Sequence, residues 1–294
     1  MKTRLLFLLL LLTTWPAAAQ KMPARPAPAK VPAGPAFTIT CADQKSASAL
    51  QKLYCETRDL TLPAPPTGTA LTVDARVNGG LTVRGYGGST VRVRARVTGR
   101  AATPESAKAL AAAVRITSEN NTVRAGRANE SLDGWAVDYE VFVPSRTDLV
   151  LKAVNGGITL ENVEGRLRFD TTNGGLVLTG INGDARGQTV NGSVTIALTG
   201  PVWVGPGLDV NTTNGSVNWE LPATYAATVL ARTTHGKVTA RLNTKRKSVM
   251  PHNLVATLGK GGAQLKASTV HGSVEVKQPA ETVPVVPGDS IDTE

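Results

Sequence analysis

One five-residue motif recurs along most of this chain and leaves few ways to fold it. The motif is a β-branched residue, Asn or His, Gly, a small or polar residue, then an apolar residue. It reads Val77-Asn78-Gly79-Gly80-Leu81, Val154-Asn155-Gly156-Gly157-Ile158, Thr172-Asn173-Gly174-Gly175-Leu176, Val190-Asn191-Gly192-Ser193-Val194 and Thr213-Asn214-Gly215-Ser216-Val217. Two later copies carry His, as Thr234-His235-Gly236-Lys237-Val238 and Val270-His271-Gly272-Ser273-Val274. Asn155, Asn173 and Asn191 are spaced by 18 residues, and the later steps are 23, 21 and 36. The last step is twice 18, with Asn253 at its midpoint as a degenerate copy.

Asn-Gly is a turn dipeptide because both residues accept positive φ at low cost, and His also visits that region. A second Gly corner falls about halfway between copies, at Gly165 and Gly183. Two corners per repeat imply two flat sides per coil, each roughly 20–23 Å of extended chain.

The parity of side chains agrees. Six, four and two places before the turn residue stand Leu149, Leu151 and Ala153, then Leu167, Phe169 and Thr171, then Ala185, Gly187 and Thr189. The later copies have Leu208, Val210 and Thr212, Val229, Ala231 and Thr233, and Leu265, Ala267 and Thr269. After the turn, Ile158 and Leu160, Leu176 and Leu178, Val194 and Ile196, Val217 and Trp219, and Val274 and Val276 continue the same inward set. A single coil cannot bury such a face, but stacked coils bury like on like. The predicted fold is therefore all-β: a β-solenoid, or β-helix, of stacked parallel strands with about 18 residues per coil. The Thr column points inward beside the corner, so its hydroxyls need partners in the turn backbone.

The turn residues Asn78, Gly79, Asn155, Gly156, Asn173, Gly174, Asn191, Gly192, Asn214, Gly215, His235, Gly236, His271 and Gly272 read as structural corners. Sequential winding puts His235 and His271 two coils apart, about 10 Å at the usual strand spacing, too far to share a metal directly. No metal and no cofactor is expected.

The flanks are of a different kind. Lys2 and Arg4, the apolar run Leu5–Leu12 and the small residues Ala17-Ala18-Ala19 read as a signal peptide over 1–19. Residues 20–36 are rich in Pro and Ala and read as a linker. Residues 278–294, with Pro279, Pro284 and Pro287 and an acidic end, read as a disordered tail. The solenoid domain then spans 37–277. No segment is long enough to span a bilayer as a helix, so the expected location is periplasmic, cell-surface or extracellular. In such a compartment the only two cysteines, Cys41 and Cys55, are expected to pair, pinning the local N-terminal segment 37–62 rather than the main body. Thr103 as N-cap, Pro104 in the first turn and Glu105 near the positive end of the dipole predict one short helix near 104–113. Val91–Val97 and Trp135–Val143 read as strands.

Taken together, these features resemble the bacterial putative-adhesin family, a group of exported β-solenoid proteins. The resemblance covers about Cys55 to Val276 and rests on the Asn-Gly-Gly series, Arg58-Asp59-Leu60-Thr61-Leu62-Pro63, Gly134-Trp135-Ala136-Val137-Asp138-Tyr139, Val143-Pro144 and the segment Leu208–Gly215. It implies an adhesion role and brings no catalytic residues. The chain departs from the pattern where His replaces Asn and where Thr244–His252 interrupts a coil.

The sequence has no G-x-S-x-G, Walker loop, H-E-x-x-H or Cys/His zinc spacing. Four Phe, four Tyr and four Trp do not supply the girdles of an outer-membrane barrel. The net charge of +10 favours anionic partners. Lys245-Arg246-Lys247 is a single basic loop, and nucleic acid is not expected as a partner. Outward positions along the repeat carry Arg168, Asp170, Arg186, Asp209, Arg232 and Lys266, which are the candidate binding residues. The expected function is a non-enzymatic, adhesin-like scaffold that meets anionic envelope polymers or another surface protein. The alternative is a polysaccharide-active hydrolase or lyase using Asp170 and Asp209, since glycoside hydrolysis needs paired carboxylates.

Overall fold

Alternation of apolar and polar side chains, broken by Gly-containing corners, makes this chain fold as short strands. The computed structural model describes residues 34–42, 51–128 and 133–279. The segment 1–19 expected to be a signal peptide lies outside the described residues, as do all but 34–36 of the expected linker and all but 278–279 of the expected tail. The first half comprises β1 (Lys52–Pro63), β2 (Leu71–Asp74), β3 (Leu81–Tyr86), β4 (Thr90–Ala101), α1 (Pro104–Ala113), β5 (Arg115–Glu119), β6 (Thr122–Gly126), β7 (Trp135–Pro144), β8 (Leu149–Lys152) and β9 (Ile158–Glu161). Then come β10 (Glu164–Asn173), β11 (Leu176–Thr179), β12 (Asn182–Asn191), β13 (Val194–Ala197), β14 (Gly207–Asn214) and β15 (Val217–Glu220). The chain continues with β16 (Ala227–His235), β17 (Val238–Arg241), β18 (Lys247–Met250), β19 (Asn253–Leu258), β20 (Gln264–His271) and β21 (Val274–Lys277).

These strands form two sheets. Sheet A runs β1-β4-β7-β3-β9-β11-β13-β15-β21-β17, and sheet B runs β18-β19-β16-β20-β14-β12-β10-β8-β2-β6-β5. Each coil gives one strand to each sheet, and the coils stack in parallel register: Ile158 lies against Leu176 and Leu176 against Val194. This is the β-solenoid that the repeat predicts. The inward columns are buried between the sheets, from Leu149, Leu167, Ala185, Leu208, Leu265 and Val229 on sheet B to Ile158, Leu176, Val194, Val217, Val274 and Val238 on sheet A. Each buried aliphatic side chain contributes about 1.5–3 kcal/mol before chain entropy is counted. Gly187 breaks the column because the Phe169 ring from the next coil fills its place; a Cβ there would lie 1.9 Å from Phe169 Cδ2.

The coils do not stack in chain order. The last coil, β20 and β21, is inserted between the coil of β14 and β15 and the coil of β16 and β17. Asn253 is not a degenerate corner; it opens β19, which runs antiparallel to β16. With β18, β19 caps the sheet B edge that a further coil would otherwise cover. The other end is built in a similar way. Strand β7 lies between β3, with which it is parallel, and β4, with which it is antiparallel, and β1 closes that edge.

The helix forms where predicted. Thr103 Oγ1 accepts from Ser106 N at 3.2 Å, and Arg58 Nη2 donates to Ala111 O at 2.9 Å at its C-terminal end. Gly99 gives α1 room against β4, since a Cβ there would lie 2.1 Å from Ala107 O.

Cys41 and Cys55 are bonded, but the bond does more than pin a local segment. Cys55 belongs to β1, which is part of sheet A, so the disulfide ties residues 34–42 to the body of the solenoid. These residues are further held by Glu140, whose carboxylate accepts from Thr38 N at 2.7 Å and Ile39 N at 2.8 Å. Phe37 packs on Phe142 with ring centroids 5.3 Å apart and under the guanidinium of Arg94. No helix among the described residues is long and apolar enough to cross a membrane.

Candidate functional site

Two surfaces carry the residues that the sequence singles out: the corner edge and the outer face of sheet B. At the corner, Asn155 Nδ2 donates to Asn78 Oδ1 at 3.1 Å. Asn173 donates to Asn155, Asn191 to Asn173 and Asn214 to Asn191, each at 2.8 Å. The repeat Asn residues thus form a continuous amide ladder. None of them has positive φ, which among the described non-glycine residues occurs only at Arg76, Asn120, Asn121 and Asn162. The expectation of left-handed Asn corners is therefore corrected: Asn is selected by its side chain.

Gly follows for a second reason. A Cβ on Gly156 would lie 2.0 Å from Gly79 O, one on Gly174 2.2 Å from Gly156 O, and one on Gly192 2.1 Å from Gly174 O. Gly215, Gly272 and Gly236 meet the carbonyls of Gly192, Gly215 and Gly272 in the same way. Coils approach so closely at this corner that no side chain fits between them. The buried Thr column completes the corner. Thr171, Thr189, Thr212, Thr269 and Thr233 donate to the carbonyls of Gly156, Gly174, Gly192, Gly215 and Gly272, each at 2.7 Å.

The ladder ends in the two histidines. His271 stands in register with Asn214 on one side and His235 on the other. Their rings stack, with centroids 4.9 Å apart and planes 10° from parallel. They are on adjacent coils, which corrects the expected two-coil separation. Among the described residues, no group of three or more His, Cys, Asp or Glu is placed to hold a metal ion.

On the outer face of sheet B, Arg168, Arg186, Asp209 and Lys266 face outward on four successive strands, in mutual register. They span roughly 14 Å at the usual strand spacing. Asp184, which the sequence reading did not select, organises this row. Arg168 Nη2 reaches its Oδ2 at 2.6 Å and Arg186 Nε its Oδ1 at 3.0 Å. The hydrogen bond from Arg168 holds the Asp184 carboxyl below its ordinary range. Two strands away, across Arg166 of β10, burial alone would raise the Asp148 carboxyl, but hydrogen bonds from Arg166 outweigh burial and lower it. A shallow depression of about 190 Å³ lies here, lined by Asp184, Arg186, Asp209, Gln264 and Lys266 among others.

Asp170 and Arg232 are in a neighbouring row, with Gln188, Asn211 and Ser268 between them. Asp170 and Asp209 are thus two coils apart and two residues out of register, about 12 Å from backbone to backbone. That backbone spacing exceeds the roughly 5–9.5 Å that separates the carboxyl groups of glycosidases. In the Lys245-Arg246-Lys247 loop, Lys247 Nζ bonds Leu242 O at 2.8 Å and Arg246 bonds Gly259 O. Two of its three charges therefore serve backbone carbonyls at the capped end. Asp184 could have been found from sequence only by noting that it follows the Gly183 corner one strand step from Arg186 and in reach of Arg168.

The geometry defines a class first: a two-sheet β-solenoid with capped ends, an amide-laddered corner and a charged outer face. Within that class, the chain belongs to the Toastrack DUF4097 family, whose model matches residues 110–277, in accord with the adhesin-like resemblance of the repeat. No curated protein matches it. Distant likenesses occur among solved structures. A putative cell adhesion protein from Clostridium sporogenes is 11% identical, with 76% of this chain and 100% of that one covered and a TM-score of 0.38. A putative adhesin from Bacteroides fragilis is 10% identical, with 77% and 97% covered and a TM-score of 0.35. A putative lipid binding protein from Parabacteroides distasonis is also 10% identical, with 76% and 96% covered and a TM-score of 0.28.

Proposed function

We propose that this chain is an exported, non-enzymatic solenoid whose outer sheet B face docks on anionic polymers of the cell envelope. The observation that carries the reading is the row Arg168, Arg186, Asp209 and Lys266, set at a fixed spacing on a ladder. A repeating polymer with negative groups meets such a row at several points at once, so weak single contacts add. The disulfide supports an oxidising compartment, and the signal-like N-terminus supports export. The separation of Asp170 from Asp209 favours binding over hydrolysis.

The test uses the chain without residues 1–19 and dextran sulfate as the polymer probe at low salt. Saturable binding is expected, and it is expected to vanish in the triple variant Arg168→Glu, Arg186→Glu, Arg232→Glu. No binding by the unaltered chain at low salt would overturn the reading. Release of product from a glycan panel, abolished by Asp209→Asn, would replace it with the enzymatic one.

A further inference from the structure

At the other end of sheet B, four arginines surround one depression that the adhesive face does not include. Arg76, Arg115, Arg124 and Arg127 line it together with Thr117 and Gly126, and its volume is about 350 Å³. The fold assembles it from three places. Arg124 on β6 lies opposite Thr117 of β5 and opposite Asp74 of β2, and Arg115 lies opposite Gly126. Arg76 follows β2 in the left-handed region at φ +58°, its N–H bonded to Asp74 Oδ1 at 2.8 Å. Arg127 follows β6.

The charge there is not balanced. Among the described residues, Asp74 is the one carboxylate that pairs with any of the four, reaching Arg124 at 3.5 Å. Among the described residues, the side chains of Arg76, Arg115 and Arg127 have no hydrogen-bond or ion-pair partner. The Nε of Arg127 is also buried, with no hydrogen-bond acceptor among the described residues. Buried donors in folded proteins nearly always have a partner, and an unpartnered guanidinium N–H on a depression lined by three more arginines favours an anion there. Guanidinium forks match the tetrahedral oxygens of phosphate and bond them two at a time.

We propose that this depression is a binding site for a phosphate-bearing ligand with two or more negative charges, a phosphomonoester or a diphosphate. The excess of positive charge over Asp74 selects against singly charged phosphodiesters. The site is independent of the docking face, whose row begins at Arg168 on β10, three strands along sheet B from β6.

The experiment is calorimetric titration of the chain without residues 1–19 with inorganic pyrophosphate at low salt. A parallel arm measures sedimentation with phosphatidylcholine vesicles that do or do not contain phosphatidic acid. One saturable pyrophosphate site is expected. Arg127→Gln and Arg115→Gln are each expected to weaken it about tenfold or more, as loss of a charged hydrogen bond does. Arg76→Asn, which keeps a residue suited to the left-handed backbone, should weaken it without unfolding and so guards against a folding artefact. Binding to phosphatidic acid vesicles and not to pyrophosphate would assign the phosphate to a lipid headgroup; binding to pyrophosphate alone would assign it to a free ligand. The Arg168→Glu, Arg186→Glu, Arg232→Glu variant should bind pyrophosphate normally, which separates this site from the polymer-binding face. Absence of binding to both probes, or binding unchanged in all three arginine variants, would overturn the proposal.

Discussion

His235 stacks face to face on His271, with ring centroids 4.9 Å apart, although a whole hairpin, β18 and β19, intervenes in the chain. The contact records the insertion of the last coil into a slot left between two earlier ones. The strands on both sides of the slot run parallel to β20, so the final coil has a hydrogen-bonded ladder on each side. It acts as a closing wedge, and the hairpin behind it covers the edge of β16.

The order of the coils can be read with engineered disulfides. Ser268 is in register with Asn211 on one side and Arg232 on the other, so Asn211 and Arg232 are about 10 Å apart. A disulfide tolerates backbones only up to about 7 Å apart. The pair Asn211→Cys with Ser268→Cys is expected to close under mild oxidation, and Asn211→Cys with Arg232→Cys to stay reduced. Peptide mass mapping without reductant checks this. The opposite result would mean that the coils stack in chain order.

The two glycines of one corner should respond differently to substitution. In Gly174→Ala the new Cβ meets the Gly156 carbonyl at 2.2 Å, a backbone atom that cannot turn aside. A loss of about 1–3 kcal/mol or more is expected from such overpacking. The neighbour Gly175 has its nearest contact at 3.0 Å, and Ser193, Ser216 and Ser273 hold the equivalent place in later coils. Gly175→Ser should cost less than about 1 kcal/mol. Urea denaturation of both variants gives the comparison.

These corners show what a sequence discloses and what it hides. The inward columns were legible because a strand alternates with period two, and one misplaced residue would expose the whole set. The Thr column was legible for the same reason, since a hydroxyl facing inward must bond something. The Asn and Gly columns were visible, but their cause was not. Asn is used for a side-chain ladder and Gly for close approach of the next coil, and both depend on a neighbour the local sequence does not contain. Coil order was hidden because all coils share one pattern, so any of them fits beside any other. The His shared by two coils was the one mark of adjacency. The row at Arg168 was legible as outward charge, whereas Asp184, which ties it together, required knowing which strand comes next.

The Thr column makes a quantitative claim. Thr189 is buried and its hydroxyl bonds Gly174 O at 2.7 Å. Thr189→Val keeps the shape and removes the donor, leaving a carbonyl with one bond fewer. A loss of about 1–2 kcal/mol is expected. Thr189→Ser keeps the donor and loses one methyl group, about 0.8 kcal/mol. Chemical denaturation should rank valine as the worse of the two; the reverse order would mean that the methyl, and not the hydroxyl, holds the corner.

Tyr139 offers a case where removing a polar atom should help. Its side chain is buried on β7 and its Oη has no hydrogen-bond partner among the described residues. Burial pushes the phenol pKa well above its ordinary value of 10.0, with the Asp74 charge adding to the shift. The unfolded chain therefore loses this proton at a lower pH than the folded protein does. The folded state binds the extra proton above pH 10.0, so stability is complete below that value and falls as pH rises beyond it. Tyr139→Phe deletes an unpaired buried hydroxyl and the titration together. At neutral pH the variant should match or exceed the unaltered chain, by up to about 1–2 kcal/mol. Above pH 10 its advantage should grow as the alkaline loss due to this phenol disappears. Thermal unfolding of the two chains from pH 8 to 11 tests both parts, and a Phe variant less stable at neutral pH would show that the hydroxyl has a partner in solution.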